Sequence, residues 1–466
     1  MIRFGTSGWR AVMGREFTFH NVRLVVQAIA NHLRRKFSDG RISVMVNYDT
    51  RFLSDRFAFE ACKVLARNDL YAFLAERDAP SQAQAYQIIR RGTQGGINFT
   101  ASFNPPHYNG LKYNTETGAP AMPAETDEIE AEIRRLGPSF TLPPSYPREE
   151  FIERVDFRPD YLAFLQDKID FALVRRAKLR VAVDPLYGAS REYLDGILED
   201  NHIPVEVIHG YLDPYFGGFT PCCKMENLCD LKKLIQEKTC HLGVATDADG
   251  DRFGILDEKG ILVNQNHILA LLLDYVVSDK GWRGGVARSV ATTHLVDRIA
   301  RTYELPLFKT KVGFKYLADL FLQDKIIFGG EESACLALRG HLPEKDGIFA
   351  GLLVAEMIAA RDRPLSGLIE DLQRRYGKKM DGQKNIGLTP DREKKLRRLM
   401  KNPPRKLGGR AVLDVERIEG LKLDFEDDDW LLLRLSGTEP LIRCYAEAGT
   451  KSEMSRLIKL GLELLS

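Results

Sequence analysis

Three aspartates alternate in the segment Thr246-Asp-Ala-Asp-Gly-Asp-Arg-Phe-Gly254, at positions 247, 249 and 251. Carboxylates this close repel one another unless a cation lies among them. Three oxygen donors with few other ligands suit a hard divalent ion. Magnesium keeps coordination positions open and favours phosphate oxygens, so the trio points to phosphoryl transfer. An EF-hand calcium loop is excluded, although Glu258 stands at the twelfth position from Asp247. That loop needs glycine at its sixth position, where Arg252 stands, and helices on both sides. The flanks here, Leu242–Ala245 and Phe253–Leu256, are strand-like. The alternative is a solvated acidic turn.

A second candidate is Ser102, in Thr100-Ala-Ser-Phe-Asn-Pro-Pro-His-Tyr-Asn-Gly110. The run Gly96–Thr100 reads as a strand. Pro105 and Pro106 cannot donate backbone hydrogen bonds, and they push the residue before them out of the helical region. Ser102 is therefore expected on a stiff loop at a strand's C-terminal end, where α/β folds place ligands. A nucleophilic serine needs a base or electrostatic help nearby, and Lys112 follows ten residues later. By itself the segment also reads as a loop serine before a proline turn.

Three further motifs carry weaker signals. Gly329-Gly-Glu-Glu-Ser-Ala334 offers two glycines for close backbone approach, then acceptors suited to sugar hydroxyls. It reads equally as a helix start with acidic residues favouring the dipole. Arg434-Leu-Ser-Gly-Thr-Glu-Pro440, with Arg443, could cradle an anion through hydroxyls, backbone N–H groups and guanidinium groups. Its plainer reading is a polar hairpin turn. Phe4-Gly-Thr-Ser-Gly-Trp-Arg10 is glycine-rich and says little alone. No GxxxxGK[ST], GxGxxG or HExxH occurs, which removes the usual support for a nucleotide-fuelled kinase or a zinc peptidase.

The elements that must position these residues repeat one grammar. Arg41–Val46, Lys178–Val183 and Gly285–Val290 are short β-branched runs. Polar turns follow each, and then helix-like sequence such as Arg56–Ala66, Ser190–Leu198 and His294–Arg301. Strand, turn, helix is the βα unit of a parallel α/β sheet. The polar, proline-rich 137–148 segment reads as a loop. After Tyr376 a basic helix (391–401) and strand-like runs at 430–435 and 441–447 precede an amphipathic helix at 452–465. That end reads as a small α+β domain. The expected division is 1–157, 158–257, 258–372 and 373–466.

At 466 residues three or four domains are expected. Apolar residues make up 44% and charged residues 28%, as in ordinary globular chains. A net charge of +2 gives no reason to expect nucleic acid or an anionic membrane. Seven cysteines without a C-x-x-C pair fit reduced thiols better than disulfides, and the cluster Cys222, Cys223, Cys229 and Cys240 lacks paired zinc-ligand spacing. No apolar stretch approaches the ~20 residues that span a bilayer. The protein is expected to be soluble and cytoplasmic.

With these motifs in this order, the chain resembles the α-D-phosphohexomutase family, which includes phosphoglucomutases, phosphomannomutases and phosphoglucosamine mutases. The resemblance runs from Phe4 to about Ala448. It implies three similar mixed α/β sheet domains and a smaller C-terminal α+β domain around a central cleft. It implies Mg²⁺ held by Asp247, Asp249, Asp251 and a phosphorylated Ser102, with Arg10 and Lys112 beside that serine and Lys112 placed for acid–base transfer. Arg252, Lys315, Glu331 and Ser333 match substrate-contacting positions. Arg434, Ser436, Gly437, Thr438 and Arg443 match a distal phosphate cradle. The implied reaction exchanges hexose 1- and 6-phosphates through a hexose 1,6-bisphosphate.

Two positions depart from the family pattern. Phe103 stands where histidine often follows the serine, and Cys335 stands where mannose- or glucosamine-type members often have histidine. The GEESA loop is most similar to that of phosphoglucomutases, so glucose phosphate is the expected substrate. The alternatives are a mannose or glucosamine phosphate mutase, a phosphatase, and a non-catalytic sugar-phosphate binder on the same fold.

Overall fold

The strand Gly95–Phe99 leads to Ser102 and is buried at all five positions, as expected of an interior strand covered on both faces. In the computed structural model, which describes residues 2–5, 8–38, 40–141, 148–437 and 439–466, this strand lies inside a six-stranded mixed sheet. The order is Trp9–Val12, Tyr108–Thr115, Gly95–Phe99, Ser43–Tyr48, Tyr71–Ala75, Ile152–Val155. The last four run parallel, and the first two pair antiparallel. Parallel neighbours need crossover helices, here Ser54–Arg67 and Ser81–Arg91.

Two compact units divide the chain. The first holds Met1–Val263, Ala318–Gln323 and Ser333–Leu365; the second holds Asn264–Leu317, Asp324–Glu332 and Ser366–Ser466. The first unit also contains a four-stranded sheet ordered Phe253–Leu256, Leu242–Thr246, Val181–Asp184, Val205–Val207. The aspartate trio occupies the turn between its two antiparallel strands. The helix Gly347–Arg361 packs against this pair so tightly that a Cβ on Gly351 would stand 2.5 Å from Val244 Cγ1.

In the second unit Gly285–Ser289 pairs in parallel with both Leu307–Thr310 and Ile326–Glu331. A separate five-stranded antiparallel sheet follows, ordered Met380–Gly387, Leu441–Ala448, Trp430–Leu435, Leu421–Asp424, Asp414–Glu416. Leu421, Leu431, Leu433 and Ile442 form its core with Leu396 and Leu457 from the helices Pro390–Lys401 and Lys451–Glu463. This is the smaller α+β domain. Among the described residues no helix is long and apolar enough to cross a membrane.

Two local expectations need correction. The helix expected at 190–198 begins only at Leu194. The preceding backbone is diverted, because Ala189 N–H donates to Ala248 O of the aspartate turn at 2.8 Å. The Gly329–Ala334 motif is not a helix start. Its first residues end the strand Ile326–Glu331, and residues 332–334 turn, with Ala334 at φ 63°. Of the 137–148 loop, residues 142–147 lie outside the described residues.

Candidate active site

Ser102 sits just past its strand, fully buried, with φ 50°. A left-handed φ is costly for serine, so the surroundings must impose it. Arg51 does so. Its guanidinium donates to the backbone oxygens of Ser102, Asn104 (2.7 Å), Pro105 (2.8 Å) and Tyr108 (3.1 Å). Asp49 in turn accepts from Arg51 Nε at 3.1 Å. One buried guanidinium thus fixes the whole turn.

The Ser102 hydroxyl donates to Asp247 Oδ2 at 2.5 Å. Asp247, Asp249 and Asp251 are completely buried, and one carboxylate oxygen from each lies within 4.8 Å of the others. Among the described residues this is the one cluster of metal-ligating side chains. Lys112 Nζ reaches Asp249 Oδ2 at 2.5 Å and Asp251 Oδ2 at 2.7 Å, and Lys345 pairs with Asp251 Oδ2. The second oxygens, Asp249 Oδ1 and Asp251 Oδ1, are buried without hydrogen-bond partners among the described residues. Buried carboxylate oxygens seldom go unmet, so this donor set fits a divalent cation.

The electrostatics agree. Burial, then Asp251 and Asp249, push the Asp247 carboxyl up to about 7. Burial also works against the Asp251 carboxylate, but Lys112 and Lys345 outweigh it and hold its pKa well below the ordinary range. Burial works against the Lys112 ammonium, but Asp249 and Asp251 outweigh it and hold its pKa above the usual lysine value. An ammonium braced in this way is suited to charge neutralisation, and it could act as a base only after giving up a proton that its two aspartates hold in place.

Three consecutive carbonyls of the turn are held by N–H groups from distant segments. Ala189 donates to Ala248 O, Ser81 to Asp249 O at 3.0 Å, and Gly347 to Gly250 O at 3.0 Å. Ser81 Oγ also donates to Asp249 Oδ2 at 2.5 Å. A Cβ on Gly347 would fall on the carbonyl of Arg252. Gly347→Ala is therefore expected to cost about 1–3 kcal/mol, the penalty for overpacking a filled site. It should also weaken the rise in melting temperature that Mg²⁺ produces. Thermal unfolding with and without Mg²⁺ checks both, and an unaltered protein would show that the helix end does not brace the turn.

Phe103 lies between two cations. The Arg252 guanidinium is 4.2 Å from its ring centre and that of Arg10 is 5.4 Å away. Arg10 also donates to Asn104 Oδ1 at 2.8 Å. Burial, then repulsion from Arg252, lowers Arg10 to about 10. An aromatic face stabilises such neighbouring cations.

Ser333 belongs to the first unit, and Lys315, Glu331, Arg434 and Arg443 to the second. Ser333 Oγ is 3.2 Å from Cys335 Sγ. In the second unit, Glu331 Oε1 accepts the Gly313 N–H at 2.5 Å, which ties it to the loop that carries Lys315. Arg434 and Arg443 face each other across paired strands, with the turn of Ser436 and Gly437 beyond them. Like charges directly opposite destabilise a sheet, so the pair suits an anion. Thr438 lies outside the described residues. Sequence reasoning does not single out Arg51, Ser81, Lys345 or Gly347. Only the Glu-Lys-Asp-Gly run at 344–347 holds a charged signal that could have been followed.

Sequence profiles of the phosphoglucomutase/phosphomannomutase family match nearly the whole chain. Alpha/beta/alpha domain I matches residues 1–138, domain II 159–260, domain III 264–376 and the C-terminal domain 388–459. A Komagataeibacter xylinus phosphoglucomutase is 28% identical over 96% of this chain and 87% of its own. A Thermococcus kodakarensis phosphoglucomutase/phosphomannomutase is 26% identical over 99% and 98%. A solved Thermus thermophilus protein, provisionally named a phosphomannomutase, is 30% identical over 99% and 98%, with a TM-score of 0.86.

Proposed function

The chain belongs to the phosphoglucomutase/phosphomannomutase family of intramolecular phosphotransferases, and from that premise we propose that it interconverts hexose 1-phosphate and hexose 6-phosphate, with glucose preferred. The observation that carries this reading is the hydrogen bond from Ser102 Oγ to Asp247 Oδ2 inside a buried aspartate trio. It sets the hydroxyl that would bear the phosphoryl group among the carboxylates that would hold its counter-ion.

In the working cycle phosphoserine 102 donates its phosphoryl group to the free end of the sugar phosphate. The serine P–O bond breaks as the bond to the sugar oxygen forms, and the sugar hydroxyl's proton passes, in the net step, to Ser102 Oγ, which yields hexose 1,6-bisphosphate and free Ser102. The bisphosphate reorients, and its other end returns a phosphoryl group to Ser102. Asp247, Asp249, Asp251 and the Ser102 phosphate would hold Mg²⁺, which supplies neutralisation of charge on the transferring group. Arg10 and Lys112 add fixed positive charge beside the serine. Arg252 contacts substrate, and Lys315, Glu331 and Ser333 read the sugar. Arg434, Ser436, Gly437, Thr438 and Arg443 hold the phosphate that is not being transferred.

The glucose preference rests on the Gly330-Glu-Glu-Ser-Ala334 loop. A second reading, a mannose or glucosamine phosphate mutase of the same mechanism, is favoured by the relatives, whose names include a phosphoglucomutase/phosphomannomutase and probable phosphoglucosamine mutases. A coupled assay decides. With Mg²⁺ and a trace of glucose 1,6-bisphosphate, glucose 1-phosphate should give the highest kcat/KM, about tenfold or more above the mannose and glucosamine analogues. Chelation of the metal should stop turnover and added Mg²⁺ should restore it. Turnover of the other sugars alone overturns the substrate choice. Steady release of inorganic phosphate indicates a phosphatase, and binding without turnover indicates a non-catalytic binder.

A further inference from the structure

Glu419 lies in the turn between the strands Asp414–Glu416 and Leu421–Asp424. Its two carboxylate oxygens reach two different candidate binding elements of the second unit. Oε1 accepts from Arg434 Nη1 at 3.3 Å, and Oε2 accepts the backbone N–H of Val312 at 2.7 Å. Arg434 belongs to the proposed phosphate cradle, and Val312 to the loop that carries Lys315.

The geometry of this turn is fixed by the next residue. Gly420 has φ 88°, and a Cβ there would stand 2.8 Å from Arg434 Cβ and overlap the Leu433 carbonyl. No side chain fits, so the turn is pressed against the backbone of the arginine that Glu419 meets. Among the described residues the ionic contact is nevertheless a single long one, and Nη1 shares it with the Leu435 carbonyl at 3.4 Å. Among the described residues Arg434 Nε has no hydrogen-bond partner, and Nη2 meets a phenol, Tyr445 Oη, at 3.2 Å. A phosphate could engage the same guanidinium with two short charge-assisted bonds. Glu439 pairs with Arg443 at 2.9 Å, but its side chain is 54% exposed.

We propose that Glu419 is a stand-in anion for the cradle. A ligand phosphate displaces its carboxylate from Arg434, and that displacement loosens its hold on the Val312 N–H. Filling of the cradle and the position of the 310–315 loop are thus coupled through one side chain. The proposal rests on the reading of Arg434 and its neighbours as a phosphate site.

Titration calorimetry of the full chain with inorganic phosphate tests it. Glu419→Gln keeps the shape and one acceptor, enough for the Val312 N–H, but removes the charge and the second acceptor that meets Arg434, and should bind phosphate about fivefold tighter than wild type, the scale of a partly exposed ion pair. Glu419→Asp, which restores the charge, should return to near the wild-type affinity. A merely structural role would weaken binding in both variants. In wild type, saturating phosphate should also speed hydrogen exchange of the Val312 amide. Equal or weaker phosphate binding by Glu419→Gln overturns the proposal. Arg434→Ala is the separate control. If it leaves phosphate affinity unchanged, the cradle reading itself fails and the role of Glu419 falls with it.

Discussion

Ser102→Ala is expected to lower mutase turnover by roughly 10⁴–10⁶-fold, the scale seen when an enzyme loses its nucleophile. The substitution leaves the fold nearly untouched. Arg51 holds the turn through backbone oxygens, which alanine retains, and the left-handed φ of 50° is as costly for alanine as for serine. The loss therefore reports on the hydroxyl alone. Mg²⁺ should still raise the melting temperature of the variant, because Asp249 Oδ1 and Asp251 Oδ1 keep their unmet acceptor capacity. Steady-state kinetics of a protein purified free of wild type checks the first part and thermal unfolding the second. Turnover within tenfold of wild type would remove Ser102 from the mechanism.

Arg51→Met should have the next largest effect, although Arg51 need touch no substrate. The variant leaves four carbonyls of the Ser102 turn without their donor and Asp49 without its guanidinium. Breaking one side of a buried ion pair costs about 3–5 kcal/mol. The turn would relax from its imposed conformation. A misplacement of about 1 Å at the reacting group can cost roughly 10²-fold in rate. Arg51→Lys should recover little, because one ammonium cannot reach carbonyls spread along a fork. Hydrogen exchange of peptides spanning 100–110, read beside kcat, checks this. Wild-type protection and rate in Arg51→Met would show that the turn holds itself.

The contrast between these two residues shows what the sequence carries. Ser102 and the aspartates stand in short local patterns whose chemistry can be argued from spacing: alternating carboxylates in one case, a strand running into a double proline in the other. The flanking strands are legible for the same reason, since Leu242–Thr246 and Phe253–Leu256 are apolar runs bounded by turns. Arg51 and Ser81 sit in ordinary polar turns and helix starts. Their importance comes from groups 51 to 168 residues away, and no local pattern records such pairing. The helix expected at 190–198 starts late, at Leu194, for a related reason. Helix-forming composition yields to a tertiary demand, the Ala189 N–H needed at Ala248 O. The acidic residues of the 329–334 motif suit a helix start. The chain instead uses Gly329, Gly330 and Glu331 in a strand, where a Cβ on Gly330 would stand 2.9 Å from Leu269 Cδ2.

The proposed cradle is legible as charge but not as arrangement. Two arginines within ten residues suggest an anion, yet only the strand register puts them opposite each other. Glu419 is not legible at all, since its two partners come from Arg434 and from Val312, 107 residues earlier.

The central claim is that Ser102 carries the phosphoryl group. Full-length protein treated with hexose 1,6-bisphosphate and Mg²⁺ can be analysed by intact mass and peptide mapping, then chased with hexose 6-phosphate. The account predicts one phosphate, on the peptide containing Ser102, discharged on the chase with formation of bisphosphate. A protein that turns over sugar phosphate while Ser102 stays unmodified, or that carries its phosphate on another residue, would contradict it.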